Sequence, residues 1–543
     1  MKMIILITTI ILQIASGFSQ PCPDGDIKFE TQSEIDEFIL NYPNCTEIIG
    51  DVTIRGRGIK NLDGLININS ITGSLSINEN DSLLKLMGIR NLTSVGGNLF
   101  IMGNSVLVDL TGLDSIKSFG ELIFIGSNGS LVSLSGLNFE NKVNSRLSIT
   151  GNPNLNTLIQ LQTVDTIIGH LLIASNSLLL DLSGLDSLKY VSGSISLRNQ
   201  QNIEGLGALT TVGATFSIND LNISDLSVLK SLTSIGSDFE LGLNKLKNFS
   251  GLTSLKSIGR DLHLWSSDSL RSFEGLDSLN YIGGDLFIDG SHLLTNFGGL
   301  EQLDSIGGLV IYNCSALKNL IGLNSLLRAR SIRLYYNNEL SDLSGLDSLK
   351  SIRNLLLYDN AKLTSFKGLE ALETISSLDI VENNLLTDIS AISDVVFNIN
   401  IPGSELKLQI WNNTSLSKCA IEPICDYLNN ISIGYLYIRN NADGCQNESQ
   451  ILDSCYVYIE NYNLQQYDII MFPNPVKDYV YIRGDNLRNG IYTVNIYNVL
   501  GELLLREQNP TSCINISNLI QGVYIFEVLC NEKKYRKIII IKR

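Results

Sequence analysis

A repeat constrains this chain more than any other feature. A Gly-Leu-like step returns at Leu65, Ile89, Leu113, Leu137, Leu161, Leu185, Leu206, Leu229, Leu252, Leu276, Leu300, Leu323, Leu346, Leu369 and Ile392, at intervals of 23 or 24 residues with a single interval of 21. A fixed period of this length means one supersecondary unit per repeat, and such units bury their apolar faces only by stacking on one another. Within the period the pattern is roughly G-L-x-S-L-x-S-I-G-G-x-L-x-I-x-x-N-x-x-L-x-x-L, as in GLDSLNYIGGDLFI at Gly275–Ile288. The L-x-I step has period two. It predicts a short strand with two inward side chains, as at Leu75/Ile77, Leu99/Ile101, Leu286/Ile288 and Leu355/Leu357.

Three residues past the second inward position stands an Asn: Asn80, Asn104, Asn128, Asn152, Asn176, Asn244, Asn337, Asn360, Asn383, Asn413 or Asn441. An inward Asn at a corner bonds the backbone of its own coil and the next, so these residues predict a ladder that satisfies otherwise buried polar groups. Cys314 occupies the same position and reads as a buried member of that ladder. The expectation is an all-β dominated solenoid of about 16 coils, roughly 75 Å long at a strand spacing of ~4.8 Å. Its apolar ends need caps. Thr31–Leu40 (TQSEIDEFIL) reads as a capped amphipathic helix, with Cys22 and Cys45 a staple over that end. Ala420–Asn430, together with Cys419, Cys425, Cys445 and Cys455, is expected to close the other end, with three disulfide pairings open.

Two further segments flank the array. Lys2, the apolar run Met3–Ile14 and small residues before Gln20 read as a signal peptide over 1–19, too short to span a bilayer. No later segment approaches transmembrane length, so the processed chain is expected to lack one. After Pro473-Asn474-Pro475 come short alternating stretches such as Tyr479–Ile482, Tyr492–Tyr497 and Val523–Leu529, which predict a small β-sandwich. Charge marks this stretch as separate. Ten Lys/Arg and six Asp/Glu from Met471 onward give +4, so the remainder of a chain of net charge −16 carries −20.

The L-x-L-x-x-N/C pattern resembles the leucine-rich repeat superfamily, and Cys45–Ile54 (CTEIIGDVTI) resembles the receptor L domain, which implies a right-handed, β-helix-like solenoid. Phe472–Tyr479 (FPNPVKDY), Ile496–Glu502 (IYNVLGE), Gly522–Tyr524 and the basic terminus ending Lys542-Arg543 resemble the type IX secretion C-terminal sorting domain of Bacteroidetes-type bacteria. That resemblance implies passage across the outer membrane by the type IX machinery, removal of this domain, and release or attachment at the surface. The matching positions are Pro473, Asn474, Pro475, Gly501, Gly522 and Lys542. The expected organisation is signal peptide 1–19, stapled cap 20–50, solenoid 51–415, Cys-rich cap 416–456, linker 457–470 and sorting domain 471–543.

The acidic balance argues against nucleic-acid binding, which needs clustered cations. Only His170, His263 and His292 exist, on different coils and without ligands at zinc spacing, and no nucleophile or phosphate-loop motif occurs. No catalytic residue, metal or cofactor is expected. The Asp of the recurring GLDSL (Asp114, Asp186, Asp277, Asp347) reads as a turn residue bonding a nearby amide. A polysaccharide-active β-helix enzyme would need long interrupting loops, and the near-constant period leaves room for little beyond Ile392–Leu408.

The outward strand positions instead suggest a binding face. His263, Trp265, Phe287, Tyr312, Arg333, Tyr335, Tyr358, Trp411 and Tyr437 would lie along it, with mostly small or polar residues such as Asn78, Gly126 and Thr150 at equivalent positions nearer the N-terminus. Exposed Tyr and Trp suit sugar rings or a protein partner. Asp238, Glu240, Asp261 and Asp285 border the stripe and would favour basic or neutral ligands. The sequence therefore reads as a secreted or surface-attached, non-enzymatic binding or adhesion protein for a protein or glycan. A structural coat protein is the second class.

Overall fold

The computed structural model describes residues 22–219, 223–242, 245–397, 407–429, 435–457, 470–472, 474–483, 492–510, 513–530 and 533–542. The expected leader 1–19, linker residues 458–469, Asn244 and Pro473 lie outside the described residues. The chain divides into two units, one of residues 1–418 and 431–447, the other of 419–430 and 448–543.

The first unit opens with the expected cap. Helix α1 (Gln32–Asn41) starts at Thr31, whose hydroxyl accepts from the Glu34 amide while the Glu34 carboxylate accepts from the Thr31 amide. This reciprocal pair satisfies amide donors that a helix start leaves open. Ile35 and Phe38 are buried from the helix, and Cys22 is bonded to Cys45. Beyond it the chain coils about sixteen times. Each coil contributes an L-x-I strand to one parallel ladder, and the pairing is strictly in register. Leu262 faces Leu286, which faces Leu309, then Ile332 and Leu355. These columns are fully buried. Because like stacks on like, one inward aliphatic choice repeated at a fixed period builds the whole core. Phe249, Phe273 and Phe297 add an inner stack with ring centroids 5.4 and 5.3 Å apart and planes within 8°.

In most coils a two-residue strand, such as Ser257–Ile258, precedes the L-x-I strand across a bend. In four consecutive coils the two fuse into β1 (Tyr281–Asp289), β2 (Ser305–Tyr312), β3 (Arg328–Tyr335) and β4 (Ser351–Tyr358).

The asparagine ladder forms as two runs. Asn80 donates from Nδ2 to the Ile54 carbonyl (3.0 Å) and to Asn104 Oδ1 (2.9 Å), and its own amide also reaches Asn104 Oδ1. The same set recurs to Asn176, and again from Asn337 to Asn441. Between the runs, among the described residues, buried Gln200, Ser267, Ser291 and Cys314 hold the position. Cys314 donates its amide to Asn337 Oδ1 (3.0 Å), and burial pushes its thiol up to about 12. It is a ladder member and not a reactive thiol.

The GLDSL aspartates serve the turns. Gly112, Gly184, Gly275 and Gly345 donate their amides to Asp114, Asp186, Asp277 and Asp347 at 2.8–3.1 Å. Gly275 sits at φ +102°, where a Cβ would lie 2.2 Å from the Phe249 carbonyl oxygen of the coil before, so the close coil approach requires glycine.

The second unit holds helices α2 (Glu422–Asn429) and α3 (Glu448–Val457), joined by a Cys425–Cys455 disulfide, and its Cys419 is disulfide-bonded, as is Cys445 of the first unit. It continues as two antiparallel sheets, one of three and one of four strands. Met471, Val480 and Ile514 of the first share one core with Val494, Phe526 and Ile539 of the second. Asn474 ties the start of this domain to its last strand, donating to the Ile538 carbonyl (2.9 Å) and accepting the Ile540 amide (2.7 Å). Among the described residues no helix is long and apolar enough to cross a membrane.

Candidate functional site

In-register pairing turns the outward strand positions into two columns. One runs His263, Phe287, Val310, Arg333, Leu356, Asp379, Gln409, Tyr437; the other runs Trp265, Asp289, Tyr312, Tyr335, Tyr358, Val381, Trp411, Arg439. All nine residues singled out in the sequence therefore stand on one face. They form three clusters and not a continuous stripe, because Asp289 separates Trp265 from Tyr312 and Val381 separates Tyr358 from Trp411.

The first cluster is His263 with Trp265 and Phe287, at centroid distances of 6.4 and 5.7 Å. The Trp265 indole lies over Gly242 of the preceding coil, where a Cβ would be 2.1 Å from the indole nitrogen. The third cluster is Trp411 and Tyr437, 6.1 Å apart and edge-to-face. Arg439 lies over both, 4.7 Å from the Tyr437 centroid and 5.9 Å from that of Trp411. The sequence reading missed Arg439, although its place in the column of Tyr358 and Trp411 follows from the period alone.

The central cluster is the most ordered. Tyr312, Tyr335 and Tyr358 occupy successive coils with centroids 5.7 and 6.4 Å apart. Tyr336, also missed from sequence, inserts its ring edge-on against Tyr312 (5.2 Å) and Tyr358 (5.3 Å). Its backbone is left-handed, at φ 57°. Equivalent corners elsewhere carry Glu79, Gly103, Ser127, Gly151, Asn313 and Asp359, so a bulky aromatic is out of pattern there. A left-handed backbone costs a non-glycine residue ~1–2 kcal/mol, and the ring packing offsets part of that. Tyr312 is the exposed member, at 40%. Burial, together with Tyr336 and Glu382, pushes the Tyr358 phenol up to about 12.

Between the central and third clusters, Asp379 is buried at 6% exposure. One carboxylate oxygen takes the Lys407 ammonium at 3.1 Å, while the other has no partner. Burial pushes this carboxyl up, against the pull of Lys407.

The acidic border serves the backbone. Asp238 accepts the Asp261 amide (3.3 Å), Asp261 accepts the Asp285 amide (2.7 Å), and Arg260 lies 3.7 and 3.5 Å from their carboxylates. His170 stands at the equivalent strand position and accepts the Ser194 amide at 2.9 Å. This is a second polar ladder, and it reduces the part those carboxylates have in selecting a ligand's charge. Aromatic residues are also not confined to the C-terminal half, since Phe100 and Phe124 pair in register on the outward side.

A cavity of about 640 Å³, lined by Phe119, Phe139, Lys117, Lys142, Asp114 and Glu140 among others, opens elsewhere on the solenoid. It lies where the short-strand ladder ends at Ser94–Val95 and resumes at Lys142–Val143. Among the described residues no group of His, Cys, Asp or Glu is placed to hold a metal ion.

Comparison with protein families assigns both parts. Residues 197–295 and 289–402 match the BspA type leucine rich repeat region, in six copies, and residues 470–542 match the secretion system C-terminal sorting domain. A search of curated proteins finds no match. The chain thus joins a leucine-rich-repeat solenoid to a sorting domain that marks it for secretion to the cell exterior or surface. Such a domain implies an encounter with the type IX secretion machinery.

Proposed function

We propose that this chain is a non-enzymatic recognition protein of the cell exterior, and that it holds a macromolecular ligand, a protein or a glycan, on the outward face of its C-terminal coils. Export and a BspA-type repeat, a family typically without enzymatic activity, support this reading at the coarse level. The observation that carries the finer reading is Tyr336. A left-handed solenoid corner that carries Gly, Ser, Asn, Asp or Glu in other coils holds a tyrosine here, and that ring packs edge-on against both Tyr312 and Tyr358 to make one surface cluster. The left-handed backbone is common to these corners, and what sets this coil apart is the aromatic side chain placed on it. Stacking of the coils does not require the tyrosine, since the others stack with glycine or a polar residue at this corner.

The test is a combined glycan and protein array probed with the whole chain and with a Tyr312→Ala/Tyr335→Ala/Tyr358→Ala variant. Loss of a wild-type hit in a variant with an unchanged circular dichroism spectrum is the expected result. Equal binding by both would remove the face from consideration.

A further inference from the structure

Next to the tyrosine cluster the repeat breaks its pattern a second time. At the bend between the two strand segments, successive coils carry glycine, as at Gly283 and Gly307; the next two coils carry Arg330 and Arg353. These residues sit at the same register, between the pairs Ala329↔Ile352 and Ser331↔Asn354. In-register parallel strands put their backbones about 4.8 Å apart. Arg333 projects outward from the same strand as Arg330, beside Tyr335. Among the described residues none of the three arginines has a carboxylate partner. Two carboxylates of the following coils are engaged elsewhere, Glu373 with Lys350 at 3.2 Å and Asp379 with Lys407 at 3.1 Å.

Like charges directly across a strand pair destabilise a sheet. A chain with 55 acidic residues and net charge −16 nevertheless places two arginines on adjacent coils and a third on the same strand as one of them, with no ion pair to any of the three among the described residues. A guanidinium fork fits carboxylate and sulfate oxygens two at a time. From this arrangement we infer that the ligand of the central cluster is an anionic glycan, a polyuronate or sulfated polysaccharide, with its acid groups on Arg330, Arg353 and Arg333 and its rings against Tyr312 and Tyr335. This rests on the face being the binding site.

The spacing separates a glycan from an acidic peptide. Side chains on one side of an extended peptide recur at about 6.8 Å, which drifts out of step with a ~4.8 Å coil. A uronate chain carries an acid and a pyranose ring with an apolar C–H face in every unit, and both kinds of partner, arginine and tyrosine, recur here on adjacent coils.

The experiment measures binding of the full chain to immobilised polygalacturonate, neutral dextran and poly-L-glutamate, at low and high salt. The chain is expected to bind polygalacturonate in a salt-sensitive way and dextran not at all. An Arg330→Ala/Arg353→Ala variant with wild-type melting is expected to bind roughly tenfold or more weaker, the scale of lost charged hydrogen bonds. Unchanged binding in that variant, or preference for poly-L-glutamate, would overturn the proposal. If the arginine variant keeps an array ligand that the triple-tyrosine variant loses, the anionic-glycan assignment falls while the face remains the binding site. If the tyrosine variant keeps every ligand, the reading of the face falls first.

Discussion

Replacing Asn360 by alanine tests the ladder that holds the coils together. Asn360 is fully buried. Its Oδ1 accepts the Asn337 amide (3.1 Å) and Asn337 Nδ2 (3.3 Å), and its Nδ2 donates to the Leu334 carbonyl (3.1 Å) and Asn383 Oδ1 (3.2 Å). Asn337 Nδ2 retains the Ile311 carbonyl at 3.2 Å, and Asn383 Oδ1 retains the Asn360 amide at 3.1 Å. The net loss is therefore the acceptor of one buried amide and one donor to a carbonyl. An orphaned buried donor costs ~1–3 kcal/mol and an ordinary lost bond ~0.5–1.5 kcal/mol, which gives about 2–4 kcal/mol. A stacked array need not unfold in one step, so a global unfolding free energy is the wrong readout. Hydrogen exchange read peptide by peptide is the right one. Amides of residues 328–340 are expected to exchange at least roughly thirtyfold faster, while coils before Asn176 keep their protection. Unchanged local exchange, or a loss spread evenly along the solenoid, would refute the argument that these side chains carry the corner backbone.

Two further perturbations probe the ends of the chain. A Cys22→Ser/Cys45→Ser variant opens a disulfide with sequence separation 23, worth about 3 kcal/mol on loop entropy, so exchange in α1 should rise and that of the central coils should not; an unaltered α1 would count against the staple. In the sorting domain, burial pushes the Glu527 carboxyl up, but bonds from Lys534 and Arg536, then Asn495 and Tyr497, outweigh it and hold it at about 2 against an ordinary 4.5. A depressed acid contributes its stability in full above its unfolded value and loses it as pH falls toward the folded one. The melting difference between wild type and Glu527→Gln should therefore be constant above pH 4.5 and shrink between there and about pH 2; a difference that grows on acidification would contradict the network.

The core was legible because it depends on a choice repeated every coil. A Leu or Ile at two inward positions, a Gly at the close approach and an Asn at the corner each act on the equivalent residue one period away, so the period exposes them. Thr31 and Glu34 were legible for a similar reason, since a helix cap is closed within three residues. What sequence could not show is the direction of a side chain whose partner lies on another coil. Asp261 reads as surface charge until the Asp285 amide is seen bonded to it. The gap in the asparagine ladder was visible as Gln200, Ser267, Ser291 and Cys314, yet a tolerant pattern passes over such substitutions. Tyr336 was not legible because it lies at a corner outside the strand pattern, and Arg439 because a cation in an aromatic column shows its role only once its guanidinium is seen over Tyr437 and Trp411.

Three residues that break the repeat lie on neighbouring coils. Arg330 and Arg353 stand where the two preceding coils carry bend glycines, Tyr336 stands where other corners carry glycine or a polar residue, and all three lie on β3 and β4 or at their ends. These belong to the four coils in which the two strand segments fuse. In these coils the two segments run on as one strand, with the arginines at the bend between them and the tyrosines at the strand's far end. Each departure costs stability when taken alone: like charges in register, a strained corner, a missing counter-ion. Departures scattered at random would weaken many coils and build nothing. Concentrated on a continuous ladder that is paired on both sides, they are carried by backbone bonds the neighbouring coils supply, and the surface they form can be specific without the scaffold being marginal.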